Sequence, residues 1–124
     1  MMVMNDLAGK RGLGFAASKE HTVIGVVATN AKMDKEQITK VSQMAHDGLA
    51  RTVSPAHTML DGDTIFALSY GEIEADVNIV GAFAARVFSE AMLRAVYTAQ
   101  GDNALPAVCN LPAEHKVTWS GYDR

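Results

Sequence analysis

The sequence predicts an α/β (α+β) fold built as a βαβα unit, and three observations predict it. Two strand-length apolar runs are rich in β-branched residues, two other stretches carry apolar residues at helical spacing, and the two kinds alternate along the chain. The 124 residues suit one domain, and a hydrophobic share of 48% against 20% charged places the chain among globular rather than disordered proteins.

Taken in order, residues 1–21 contain Gly9, Gly12 and Gly14 among Lys10, Arg11, Lys19 and Glu20. This mixture has neither helical nor strand periodicity, so it reads as a flexible lead-in. The run His21-Thr22-Val23-Ile24-Gly25-Val26-Val27-Ala28-Thr29 is nearly continuous in apolar character and predicts a first strand covered on both faces. Asn30-Ala31-Lys32-Met33 breaks it.

Asp34 followed by Gln37 has the form of a capping box, which starts a helix by satisfying its orphan amides. Ile38, Val41, Ala45, Leu49 and Val53 then form one apolar stripe, and Pro55 stops the helix. Beyond a turn at Asp61-Gly62, the run Thr64-Ile65-Phe66-Ala67-Leu68-Ser69-Tyr70 predicts a second buried strand ending at Gly71.

From Asp76, the spacing of Val77, Val80, Ala84, Val87, Phe88, Ala91 and Ala95 predicts a long helix reaching about Ala99, with Arg86, Glu90 and Arg94 on its opposite side. Residues 101–124, with Pro106, Pro112 and Gly121, read as a loosely ordered tail in which Val117-Thr118-Trp119 suggests a short strand. Two strands and two helices leave a sheet with open edges and one uncovered apolar side, so the unit calls for a partner.

The formal charge of −3 and the absence of a basic stripe argue against nucleic acid as a partner. No apolar stretch has the length of a membrane helix and the N-terminus lacks a signal-peptide pattern, so no membrane partner is expected. A single cysteine, Cys109, gives no intrachain disulfide, and a cytoplasmic location is the default expectation.

Asp61 and Asp63 flank a glycine at a strand entrance, and residues two apart in an extended segment point to the same face. They are read either as an acidic pair for a catalytic site or as a solvated turn. A metal site needs several more oxygen donors at close spacing, so no metal and no cofactor is expected. His46, beside Asp47 in the first helix, and His57 are read as structural histidines rather than bases. Arg51 is read as an ion-pairing or interface residue, and Cys109 as a poor nucleophile.

Three stretches, His21-Thr22-Val23-Ile24-Gly25-Val26-Val27-Ala28-Thr29-Asn30, Met44-Ala45-His46-Asp47-Gly48-Leu49-Ala50-Arg51 and His57-Thr58-Met59-Leu60-Asp61-Gly62-Asp63-Thr64, resemble the C-terminal part of the L-aminopeptidase/D-esterase (DmpA-like) family of self-processing peptidases. The helix opening Asp76-Val77-Asn78 is similar too, and the likeness covers about residues 21–99. The resemblance implies an αββα sandwich of N-terminal-nucleophile-hydrolase-like architecture, of which this βαβα unit is part. It also implies a precursor that cuts itself before a Ser or Thr.

Thr22 matches that nucleophile position, the cleavage site is then His21-Thr22, and Asp61 and Asp63 match the family's acidic pair. Residues 22–100 become the nucleophile-bearing domain and residues 1–21 a remnant of the α-subunit or its linker. The implied partners are an upstream α-subunit-like chain or domain, further copies in a homo- or hetero-oligomer, and a small peptide or amide substrate.

Two departures accompany the likeness. His21 stands where the family commonly has a small residue or asparagine, and family precursors are far longer. A split-gene β-subunit and a truncated, catalytically silent assembly domain both accommodate this. A small-molecule-binding βαβα module is a third reading, one that no phosphate-cradling glycine loop supports.

Overall fold

The computed structural model describes residues 22–102 and 105–112. The expected lead-in over 1–21, the strand at Val117-Thr118-Trp119 and His21 itself lie outside them. Among the described residues the order is β1 (Ile24–Ala31), α1 (Lys35–Ala50), β2 (Thr64–Ile73), α2 (Val77–Thr98) and a single 3-10 turn at Val108–Asn110.

Both helices start where the sequence expects them. The Asp34 carboxylate accepts the Gln37 N–H at 2.8 Å while the Gln37 side chain accepts the Asp34 N–H at 3.1 Å, a reciprocal capping box. Asp76 caps α2 by accepting from the Asn78 and Ile79 amides.

Three elements have boundaries that differ from expectation. α1 ends at Ala50, with Arg51 as its C-cap, rather than running on to Pro55. The Thr52 and Val53 amides both turn back to the Leu49 carbonyl, so the last turn tightens and Val53 reaches the core from beyond the helix. β1 starts at Ile24 and continues through Ala31, because after Thr29 opposite Ser69 the register shifts and Ala31 pairs with Ile73. β2 continues past Gly71 to Ile73.

The two strands pair in parallel, Ile24 opposite Thr64 and Thr29 opposite Ser69, as a β-strand, crossover helix and second strand require. On one face Val27, Ala31 and Ile65 are buried beneath the helices, with Val41, Ala45 and Leu49 of α1 and Ala84 and Phe88 of α2 completing the core. The helices cross closely: a Cβ on Gly48 would run into the Ala85 carbonyl oxygen. The Ser89 hydroxyl lies 2.9 Å from the Gly48 oxygen and 3.1 Å from the Ala85 oxygen, satisfying a polar group that is 2% exposed.

Within this chain the first strand is covered on one face only, and the other face is the uncovered apolar side expected of two strands and two helices. Ile24, Val26, Phe66 and Tyr70 are 72%, 62%, 58% and 72% exposed, so one sheet face is apolar and bare among the described residues. The α2 stripe is also corrected. Val87, Ala91 and Ala95 are exposed, while Gly81, Ala85 and Ser89 are buried, which rotates the packed face by roughly one residue. No helix among the described residues is long and apolar enough to cross a membrane.

Candidate active site

Thr22 stands two positions before Ile24, the first residue of β1, and Gly62 stands two positions before Thr64, the register partner of Ile24. The two meet. A Cβ built on Gly62 would lie 2.8 Å from Thr22 Oγ1. Parallel folding therefore brings the predicted nucleophile position against the centre of the predicted Asp61-Gly62-Asp63 turn, although the two segments are some forty residues apart in sequence.

The two carboxylates do different things there. The Thr64 N–H donates to the Val23 carbonyl at 2.9 Å, which in a regular parallel ladder would send the Val23 N–H to the Gly62 carbonyl. Instead, the Val23 N–H donates to Asp63 Oδ1 at 2.8 Å. A side-chain carboxylate thus takes over a main-chain acceptor position at the amide directly after Thr22. A charge-assisted bond of this kind is stronger than the neutral one it replaces.

Asp61 is turned into its own loop. Its Oδ2 accepts the Thr58 N–H at 2.7 Å, while its own N–H donates to the Thr58 carbonyl at 3.2 Å. The Thr64 hydroxyl lies 3.4 Å from the Gly62 carbonyl as a potential donor. The turn is consequently anchored on both sides of Gly62. Of the sequence-predicted residues, Asp63 is brought to within one residue of Thr22 and Asp61 braces the segment that carries it.

The loop between α1 and the turn holds His57 in the left-handed region at φ 59°. Its ring stands 5.2 Å from that of His46, the two planes tilted by 60°. Arg51 closes α1 with its backbone N–H directed to the Asp47 carbonyl at 3.2 Å. The exposed Cys109 lies 3.9 Å from the Ala99 carbonyl, beyond the end of α2. Among the described residues no three His, Cys, Asp or Glu side chains converge as a metal site.

An apolar groove of about 370 Å³ begins at Val23, next to Thr22, and follows β1 as far as Ala28, with Val87, Phe88 and Met92 of α2 as its opposite wall. Thr58, Gly62 and the Val23 amide are site contributors that the sequence reading did not select. Only the glycine inside the Asp-x-Asp signature was visible in advance, because main-chain partnerships depend on strand register.

The pattern of peptidase family S58 matches residues 2–110. A protein of Mycobacterium leprae named as an uncharacterized aminopeptidase is 39% identical over 135 aligned residues, covering 96% of this chain and 37% of that protein. A likewise named aminopeptidase of Mycobacterium tuberculosis is 38% identical over 76% of this chain and 32% of its own length. The 6-aminohexanoate-oligomer endohydrolase of Paenarthrobacter ureafaciens is 28% identical over 60% of this chain and 25% of its own length. The chain spans little more than a third of the length of the Mycobacterium leprae relative. With a family pattern that runs through β1, the acidic turn and both helices, the chain belongs to peptidase family S58.

Proposed function

We propose that this chain carries the nucleophile-bearing part of a self-processing aminopeptidase or amidohydrolase, with Thr22 as nucleophile. The observation that carries the reading is the meeting of Thr22 Oγ1 with Gly62 while Asp63 holds the adjacent Val23 amide. A hydroxyl at this spot becomes a nucleophile toward a substrate once breaking the His21-Thr22 bond has freed the α-amine that activates it.

In processing, Thr22 Oγ attacks the His21 carbonyl carbon, the peptide C–N bond breaks, and the acyl group moves from nitrogen to oxygen. Water then hydrolyses the ester, leaving a His21 carboxylate and a Thr22 α-amine. That amine, with an ordinary pKa near 8, takes the hydroxyl proton when Oγ attacks a substrate amide or ester carbonyl. The substrate's amine or alcohol leaves with a proton, and water releases the acyl group. Asp63 orients the strand start and favours the cationic amine as it forms, and Asp61 braces the turn that carries Asp63.

The substrate class that suits this chemistry is a small peptide or peptide-like amide. The names of the relatives, aminopeptidase and 6-aminohexanoate-oligomer endohydrolase, support amide hydrolysis of that kind. The bare apolar sheet face supports an upstream α-subunit-like chain or domain as partner, completing an αββα sandwich and supplying oxyanion donors, whose loss alone commonly costs about 10²–10³ in rate. The same bare face favours one alternative, a silent assembly domain that uses its apolar surface without cutting anything.

Intact mass separates the two. The chain alone, and co-expressed with an upstream partner, is weighed: a species beginning at Thr22 supports the enzyme, and an unprocessed chain in both settings supports the assembly domain. Thr22→Ala should abolish processing and lower hydrolysis by at least about 10⁴-fold with the fold intact. Retained hydrolysis removes Thr22 from the mechanism.

A further inference from the structure

Gly62 has no conformational reason to be glycine. None of the described glycines has a positive φ, so the backbone at Gly62 suits any L residue. What it lacks is room. A Cβ there would come within 2.8 Å of Thr22 Oγ1 and 3.8 Å of Thr22 Cβ and Cγ2, closer to the hydroxyl than real Cβ contacts allow. The vacant side of Gly62 is aimed at the hydroxyl oxygen.

The turn that carries Gly62 has no easy retreat. Asp61 is joined to Thr58 by two hydrogen bonds, Asp63 to the Val23 N–H, and Thr64 to the Val23 carbonyl. A side chain at position 62 is therefore accommodated mainly by Thr22, through its χ1. Threonine is β-branched, so a turn of χ1 that moves the hydroxyl away also carries the methyl to a new place.

We propose that Gly62 is a positioning residue whose missing side chain leaves the room that lets Thr22 keep the rotamer with its hydroxyl at the mouth of the acidic turn. This rests on Thr22 being the nucleophile; the geometric part stands apart from it. A hydroxyl displaced by about 1 Å from its line of attack commonly costs on the order of 10²-fold in rate.

The test has two arms. In the first, three-bond couplings in the isotopically labelled full chain report Thr22 χ1. Wild type should hold one rotamer and Gly62→Ala another. Averaging in wild type, or an unchanged rotamer in the variant, overturns the proposal, and the wild-type measurement decides even if the variant does not fold.

In the second arm, hydrolysis of a small amide is measured for the chain co-expressed with its upstream partner. Gly62→Ala should lower kcat by about 10²-fold with KM nearly unchanged. Its Tm should stay within about 3 °C of wild type, since the position is exposed. Full activity in Gly62→Ala beside a dead Thr22→Ala overturns the role of Gly62 alone. An active Thr22→Ala overturns the nucleophile reading, and the coupling arm still decides the clearance.

Discussion

The two ends of the β1–β2 sheet are both crosslinked by a polar side chain, yet they are built for different purposes. Where β1 leaves for α1, the Ser69 hydroxyl donates to the Ala31 carbonyl at 2.6 Å and accepts the Met33 N–H at 3.2 Å, next to an Ala31 that is 3% exposed. A small side chain closes that end, and Lys32 adds exposed ion pairs to Glu72 and Glu74 at 3.7 and 3.8 Å that contribute little. Where β1 begins, the crosslink is a carboxylate, Asp63, Thr22 is exposed, and Gly62 brings no side chain at all. One end is sealed by a neutral group with both its bonding roles in use. The other is held by a charged group beside a reachable hydroxyl, which is how chemistry and packing are kept apart on one pair of strands.

The comparison breaks most visibly if the core beneath the sheet is disturbed, because both ends hang from it. Leu49 is fully buried between the helices and the sheet. Leu49→Ala should destabilise the chain by about 2–5 kcal/mol, measured by urea unfolding. Val26→Ala, on the bare face, should move the same midpoint by less than about 0.5 kcal/mol while the chain is alone. A Val26→Ala loss as large as that of Leu49→Ala would mean that the bare face is already covered in the isolated chain.

The sealed end gives the next effect. Ser69→Ala removes both the donor to Ala31 and the acceptor for Met33, leaving two main-chain groups at the strand exit without this partner. A cost of about 1–3 kcal/mol follows. Hydrolysis by the assembled protein should keep its wild-type kcat, since nothing at the Thr22 end moves. A fall in kcat at unchanged stability would show that the two ends are coupled through the strands.

The elements were largely legible in the sequence because each rests on local chemistry. The Asp34 and Asp76 caps, the β-branched runs and the three- and four-residue spacing of Val41, Ala45 and Leu49 act within a turn or two of chain. The errors fall where distant pairing decides. Val87, Ala91 and Ala95 fit the α2 periodicity as well as Ala85 and Ser89 do, and only the close crossing at Gly48 selects which row is buried. β1 runs on to Ala31 because β2 offers it partners after the register shift.

At the site, the Asp61-Gly62-Asp63 pattern is visible locally, whereas Thr22 and the choice of the acidic pair over a solvated turn come from a family likeness. Their division of labour was not legible. It depends on the Val23 amide meeting a side chain in place of the Gly62 carbonyl, which no single segment encodes.

The smallest stability effect tests the open end most directly. Asp63 has two separable properties, an oxygen that accepts the Val23 N–H and a negative charge. Asp63→Asn keeps an acceptor oxygen and removes the charge, whereas Asp63→Ala removes both. Asp63→Asn should cost less than about 1 kcal/mol in urea unfolding, and Asp63→Ala about 1–3 kcal/mol for the unsatisfied amide. If the charge serves the α-amine of Thr22, Asp63→Asn should nonetheless slow hydrolysis by about 10- to 10²-fold. Kinetics unchanged in Asp63→Asn would return the residue to a turn-and-ladder role, a carboxylate counterpart of Ser69 at the opposite end of the sheet. A rate that falls while stability holds assigns its charge to the chemistry at Thr22.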